Sequence, residues 1–336
     1  MAKDPHQFVK ETGRDKQQNQ QEKELQALLD SETGEIRSDL TAPVACAVCE
    51  SKRHNLSFKK QGFRFVKCCD CGLIYVNPQL QESLLIDSYE HGQSNDIWVD
   101  VLLSQRQIEY DTHQRFGEAI RRLEKRYPKK KRGKVMDIGC SIGLFLKLMA
   151  DRGWQPYGLE INEKASKHAT EVYKVPVEPK LLHEVDYPEN YFQIMSLWGV
   201  LEHVSNPAKV LGDIHPLLHP DGTLVILVPN VNSLATRIMH EVSPTFGGRN
   251  HLWYFSPETI AQLLDRKGFK VDQIYTQLPQ FEELLHFVRF NNPYRAGEKV
   301  NKEEFNIQKS LQSKIEKYLL KNNMGYKLIV FASKKK

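Results

Sequence analysis

The chain has no run of about 18 apolar residues, the length that a bilayer-spanning helix needs. Its first residues, MAKDPHQFVKETGRDKQQ, contain no apolar stretch of the kind a secretory signal carries. Neither a membrane span nor export is expected, and the cytoplasm is the default location. Charge of one sign is also missing. Lys and Arg number 47 against 42 Asp and Glu, so the net charge of +5 is spread among many acids and reads as ordinary solubility rather than a nucleic-acid surface. Residues 1–40 are nearly free of aromatics and rich in glutamine, which predicts a disordered polar N-terminus or a loosely attached helix around Glu22–Leu29. Cysteine is scarce outside one block: only Cys140 lies beyond residues 44–79.

What is present begins with length and apolar content. The 336 residues predict about two domains, and a 40% hydrophobic share is enough for a sizeable core. Cys46-Ala-Val-Cys49 and Cys68-Cys69-Asp-Cys71 form two CxxC pairs separated by 18 residues. That spacing lets two knuckles converge four thiolates on one zinc ion, whereas disulfides are the poorer explanation in a cytosolic protein. Cys46, Cys49, Cys68 and Cys71 are the expected ligands of a structural zinc, with Cys69 as a spare thiol. Four thiolates fill the tetrahedral shell and leave no open position for substrate. Residues 41–80 are therefore read as a small zinc-binding module.

From Gln81 to Tyr127 the periodicity is helical, so residues 81–132 are expected to link the module to the next domain and cover its entrance. The run Lys129–Arg132 with Lys134 reads as a solvated linker. Strands are expected near 134–138, 155–160, 175–178, 192–198, 223–229, 270–277 and 325–333, alternating with helices, which predicts an α/β fold with a doubly wound, Rossmann-like sheet of seven strands. Val135 to Leu146, VMDIGCSIGLFL, is a buried strand entering a turn with Gly139 and Gly143 and then a helix. Glu160 closes the next short strand, 23 residues after Asp137, where such a sheet places the carboxylate that accepts hydrogen bonds from a ribose diol. The middle glycine of Gly-x-Gly-x-x-Gly is missing, and Asp137 stands two residues before the first glycine. A pyrophosphate would be repelled by that carboxylate, whereas a sulfonium and an ammonium would be attracted.

On these residues the chain resembles a class I S-adenosylmethionine-dependent methyltransferase. The resemblance runs from about Gly133 to Lys335 and is carried further by YGLEIN at 157–162, LWGVLEHVSNPAKVL at 197–211, LLHPDGTLVILVPN at 217–230 and HLWYFSPETIAQLLDRKGF at 251–269. It implies S-adenosylmethionine as cofactor for residues 133–336, held by Asp137, Gly139, Ser141, Gly143, Glu160, Ile161, Trp198 and Gly199. It also implies that the last strand, GYKLIVFAS, inserts antiparallel between its neighbours. Residues 278–324 lie outside the minimal fold and are the candidate substrate lid. The stretch CGLIYVNPQL after the second knuckle is similar to the zinc module found ahead of some methyltransferases that act on sugars and on polysaccharide or natural-product precursors, and a zinc module also precedes some ribosomal-RNA methyltransferases.

Methyl transfer is an in-line displacement at a sulfonium, so the protein must place a nucleophile and, where it carries a proton, supply a base. His203, in the resembling Leu-Glu-His stretch after the fourth strand, is one candidate, with Glu202 to orient it. The competing reading is a histidine that holds the fold by hydrogen bonds. His251, flanked by Asn250, Trp253 and Tyr254, is the other candidate, and Arg237 and His240 are possible contacts to an anionic substrate. Cys140 reads as a small buried residue. In ubiquinone-type O-methyltransferases a further acid precedes the Glu-His pair and completes a divalent-metal site. Gly199 stands at that position here. An Asn-Pro-Pro-Tyr or Asp-Pro-Pro-Tyr tetrad that would grip a flipped base is absent. The expected function is methylation of an oxygen or carbon of a small molecule, most plausibly a nucleotide-linked sugar or a polysaccharide or secondary-metabolite precursor. RNA methylation and a non-enzymatic scaffold are the alternatives, and oligomeric state is left open.

Overall fold

The computed structural model describes residues 5–281, 284, 285, 287 and 309–335. Its organising element is a seven-stranded sheet built from β6 (Lys134–Ile138), β7 (Gln155–Leu159), β8 (Val177–Glu178), β9 (Phe192–Trp198), β10 (Leu218–Pro229), β12 (Phe269–Gln277) and β13 (Lys327–Lys334), in the order β12-β13-β10-β9-β6-β7-β8. β6 to β10 pair in parallel, and β13 runs antiparallel between β10 and β12, as the resemblance implies. β10 is longer than its apolar run, because a register shift between Leu218 and Thr223 carries its first residues past the bulge. Leu224 to Val228 are fully buried, which is the signature of a strand covered on both faces.

Helices start where short polar side chains can satisfy free backbone N–H groups. Asn162 accepts the N–H of Ala165 at 3.0 Å and opens α8 (Glu163–Glu171) directly after the second strand. Asn206 does the same ahead of Pro207 in α9 (Pro207–Leu217), and Ser256 ahead of Pro257 in α11 (Pro257–Arg266). Between them α7 (Leu144–Ala150) follows the glycine turn and α10 (Leu234–Met239) precedes the loop that ends at His251.

The cysteine block forms the strands β2 (His54–Lys60), β3 (Phe63–Cys68) and β4 (Ile74–Val76), with β1 (Thr41–Ala42) paired to β5 (Gln79–Leu80). Its sheet is not self-contained. The fourth strand, β11 (Trp253–Tyr254), comes from the loop before α11 and pairs antiparallel with β4. Phe65 packs on Phe246 and Tyr254 at 5.6 and 5.5 Å, Tyr75 stacks on Trp253 at 5.5 Å, and these rings belong to the same buried cluster as Ile226 and Val228 of the large sheet. The apolar surface of β3 and β4 in the expected zinc-binding module finds its cover in the large domain.

The N-terminal segment, expected to be disordered or loosely helical, is helical over α1 (Pro5–Thr12) and α2 (Arg14–Gln26). Its low apolar content is offset by charge pairing. Glu24 accepts the N–H and hydroxyl of Ser94 at 2.9 and 2.7 Å and pairs with Arg249, while Arg14 donates to Gln107 at 2.9 Å. The cover predicted over 81–132 comprises α3 (Glu82–His91), α4 (Gln93–Leu103), α5 (Gln105–Tyr110) and α6 (Gly117–Arg126), with one widened turn, Asp111–Phe116, between the last two. Of the candidate lid, α12 (Lys309–Lys321) is seen, and most of 282–308 lies outside the described residues. Among the described residues no helix is long and apolar enough to cross a membrane.

Candidate active site and cysteine cluster

The carboxyl ends of the parallel strands bring the expected cofactor residues together. Gly139 adopts φ +66°, and a Cβ there would lie 2.7 Å from Val200; at Gly143, φ +76°, it would lie 2.7 Å from Ala169. Both glycines are thus required by conformation and by space. Ser141 shares the left-handed turn at φ +50°, and its N–H donates to Glu160 Oε2 at 2.8 Å. Glu160 Oε1 accepts from the N–H of Asn162 at 2.8 Å, so the half-buried carboxylate is fixed at the tip of the second strand with a lone pair left on each oxygen. Ile161, between them, is half-buried. Asp137 is buried on β6 and accepts the hydroxyl of Ser196 at 2.7 Å. Burial pushes its carboxyl up to about 8, against the pull of Ser196 and Arg115.

Gly199 and Trp198 end β9. Arg115, displayed by the widened turn of the cover, donates to the Trp198 carbonyl, and its Nε has no partner. A Cβ on Gly199 would stand 3.3 Å from the Arg115 guanidinium and 3.6 Å from Glu202 Oε1. The Trp198 indole packs on Phe116 and Phe145 at 5.0 and 4.9 Å and serves the core. Cys140 is likewise buried, against Gly158.

His203 and His251 are 48 positions apart in sequence and adjacent in space, with ring centroids 4.7 Å apart. Backbone bonds join their segments: Leu252 N–H donates to the Glu202 carbonyl at 2.8 Å, and the Trp253 indole donates to the Val204 carbonyl at 2.8 Å. Glu202 Oε1 lies 3.7 Å from His203 Nε2, while Glu202 Oε2 is buried without a hydrogen-bond partner among the described residues. Burial raises Glu202 to about 7, and Lys327, its half-buried counter-charge at the start of β13, falls to about 8 as it loses solvation. Both imidazoles are held neutral by burial, His251 down to about 4 and His203 well below the usual histidine value. His251 Nδ1 bonds the Thr245 carbonyl at 3.1 Å, and His203 Nδ1 meets the Tyr89 hydroxyl at 2.7 Å. One atom each of Glu202, His203 and His251 lies within 4.8 Å of the others, close enough to share a cation. Lys327 and Arg115, which face Glu202, oppose a dication there, so proton handling is the better reading of the trio.

Arg237 and His240 are exposed on and just after α10, and the cations that face Glu202 are Lys327 and Arg115 instead. Tyr89, Arg115 and Lys327 escaped sequence reasoning. Lys327 carried a faint signal, a lysine opening an otherwise apolar strand; Tyr89 and Arg115 sit in amphipathic helices with no local mark.

The four cysteines also converge. Cys46 and Cys71 place their sulfurs 3.4 Å apart, Cys49 and Cys68 likewise 3.4 Å, and all four lie within 4.8 Å. Both knuckles close alike: Glu50 (φ +62°) and Gly72 (φ +79°) return an N–H to the carbonyls of Cys46 and Cys68. Cys69 points outward and is exposed.

The family model described as a methyltransferase domain matches residues 111–274, the span that holds the glycine turn, Glu160, Gly199, His203 and His251. The chain carries a methyltransferase domain of the S-adenosylmethionine-dependent class. Among curated relatives, the ubiquinone biosynthesis O-methyltransferases of Aeromonas salmonicida and Thiobacillus denitrificans are each 25% identical, over 50% and 42% of this chain. The alignments span 72% and 66% of those proteins. Among solved structures, magnesium protoporphyrin IX methyltransferase from Synechocystis PCC 6803 superposes with a TM-score of 0.51 at 15% identity, over 76% of this chain and all of that one. That likeness supports the fold of this methyltransferase.

Proposed function

We propose that the methyltransferase transfers the methyl group of S-adenosylmethionine to an oxygen or carbon of a small molecule, of the class of nucleotide-linked sugars or polysaccharide and secondary-metabolite precursors. The observation that carries this reading is the neutral His203–His251 pair backed by Glu202 at the edge of the cofactor turn. A neutral imidazole held by burial accepts a proton from an acceptor's O–H or acidic C–H as the bond to the methyl carbon forms. Asp137, Gly139, Ser141, Gly143, Glu160, Ile161 and Gly199 form the cofactor side, with Glu160 on the ribose diol, while the Trp198 indole stands behind them in the core. Lys327 and Arg115 give the site a cationic wall suited to an anionic group on the acceptor. The O-methyltransferase names of the relatives agree with a small-molecule acceptor.

The cysteine cluster fits one structural zinc ion. Sulfurs around a tetrahedral zinc with bonds of about 2.3 Å stand about 3.8 Å apart, a small adjustment from the separations above. When bound, the metal ties the two knuckles together, and no catalytic step passes through it.

The test is mass spectrometry of a metabolite extract incubated with the protein and methyl-labelled S-adenosylmethionine. A labelled small molecule is expected; label found only in RNA would replace this reading. With that acceptor in hand, His203→Gln or His251→Gln should lower turnover roughly 10²- to 10⁴-fold at unchanged cofactor affinity if the residue takes the proton. A histidine that only holds the fold would change melting temperature instead.

A further inference from the structure

One side chain in the site comes from the cover. Tyr89 lies on α3, and its carbonyl accepts Asn162 Nδ2 at 3.2 Å, two residues beyond the ribose-side Glu160. Its hydroxyl reaches the other side of the trough and stands 2.7 Å from His203 Nδ1, with the rings edge to face at 5.9 Å. His203 Nε2 in turn faces Glu202 at 3.7 Å. Carboxylate, imidazole and phenol therefore follow one another from the buried Glu202 out to the cover helix α3. Tyr89 as a residue is half-buried, whereas Glu202 at the other end is fully buried.

The direction of the bonds follows from the groups. Burial keeps the phenol protonated, so Tyr89 donates and His203 Nδ1 accepts. The His203 proton then sits on Nε2, 3.7 Å from the carboxylate, and the Asn250 carbonyl also accepts from the ring. His251 has Nδ1 engaged by the Thr245 carbonyl and is not in this line.

We propose that Tyr89 is a catalytic residue: it receives the acceptor's proton while passing its own to His203. The acceptor O–H or acidic C–H bond breaks with its electron pair attacking the methyl carbon, and the S–CH3 bond breaks with its pair left on sulfur as neutral S-adenosylhomocysteine. The acceptor's proton arrives on the Tyr89 oxygen, the Tyr89 proton moves to His203 Nδ1, and the imidazolium is held by Glu202. Loss of a proton to solvent as the product leaves resets the pair. This rests on the methyl-acceptor reading above.

Tyr89→Phe keeps the ring and removes only the oxygen. In the S-adenosylhomocysteine-bound protein with 15N-labelled histidine, His203 is expected as the Nε2–H form with a hydrogen-bonded Nδ1, and the Nδ1 resonance should move to the free-imine position in the variant. Identical nitrogen shifts in both proteins overturn the proposal without any acceptor being known. With labelled cofactor and the acceptor from the extract, Tyr89→Phe should lower kcat about 10²-fold or more while KM for S-adenosylmethionine stays within about twofold. The Tyr89→Phe/His203→Gln double variant should be no slower than the worse single one, because the two act as a unit. Parental turnover in Tyr89→Phe, or additive losses in the double variant, overturns the relay. A parent that binds S-adenosylhomocysteine and labels no small molecule overturns the acceptor reading, and the relay with it.

Discussion

In the proposed cofactor site recognition turns on Glu160, whose two oxygens are already oriented by the N–H groups of Ser141 and Asn162. Glu160→Ala should weaken S-adenosylmethionine binding by about 1–3 kcal/mol, the worth of charge-assisted hydrogen bonds to the diol. Calorimetry giving the parental affinity would remove it from the site. His251 makes a prediction about acid stability. Its folded value near 4 lies below the unfolded value of about 6.5. The unfolded chain therefore binds a proton that the folded chain refuses, and stability is lost as pH falls from about 6.5 toward 4, by up to about 3 kcal/mol. Glu202 is raised and works in the opposite direction, so the contribution must be read as a difference. In urea titrations the parent's advantage over His251→Gln should shrink between pH 7 and pH 4; a constant gap would mean that this imidazole titrates normally.

At the level of elements, β11 carries two duties. It completes the sheet of the cysteine block, and it follows directly on His251. If the four cysteines hold the proposed zinc, stripping it should therefore loosen not only residues 44–79 but also residues 243–254, through the β4–β11 pairing and the Phe65, Phe246 and Tyr254 contacts. Hydrogen exchange after chelation is the measurement. Exchange confined to 44–79 would show that the block is an independent module. The expected seven strands were legible because each is a short apolar run between turn residues, and Asn162, Asn206 and Ser256 mark helix starts openly. The pairing of a two-residue strand with a partner almost 180 positions earlier has no local signal.

For the whole molecule, α2 latches the cover to the loop that carries His251, since Glu24 bonds both Ser94 of α4 and Arg249. Glu24→Gln should cost about 1–3 kcal/mol by leaving a partly buried guanidinium poorly paired. It should also raise exchange in α2, α4 and residues 243–251 before the large sheet responds. An exchange pattern like the parent's would mean that the helices are held by their apolar contacts alone.

The sequence by itself determined the strands of the large sheet, the glycine turn with Glu160, and the two cysteine pairs, because each is written in local spacing: apolar period, glycine at a left-handed turn, ligands separated by two residues; the antiparallel insertion of the last strand was implied by the family resemblance alone. Only the tertiary structure decided that His203 and His251 are neighbours, that Tyr89 and Lys327 join them, and that the polar N-terminus folds onto the cover. Those contacts depend on chain segments far apart in sequence, and their energies come from burial and charge pairing that exist only once the sheet has brought the segments together.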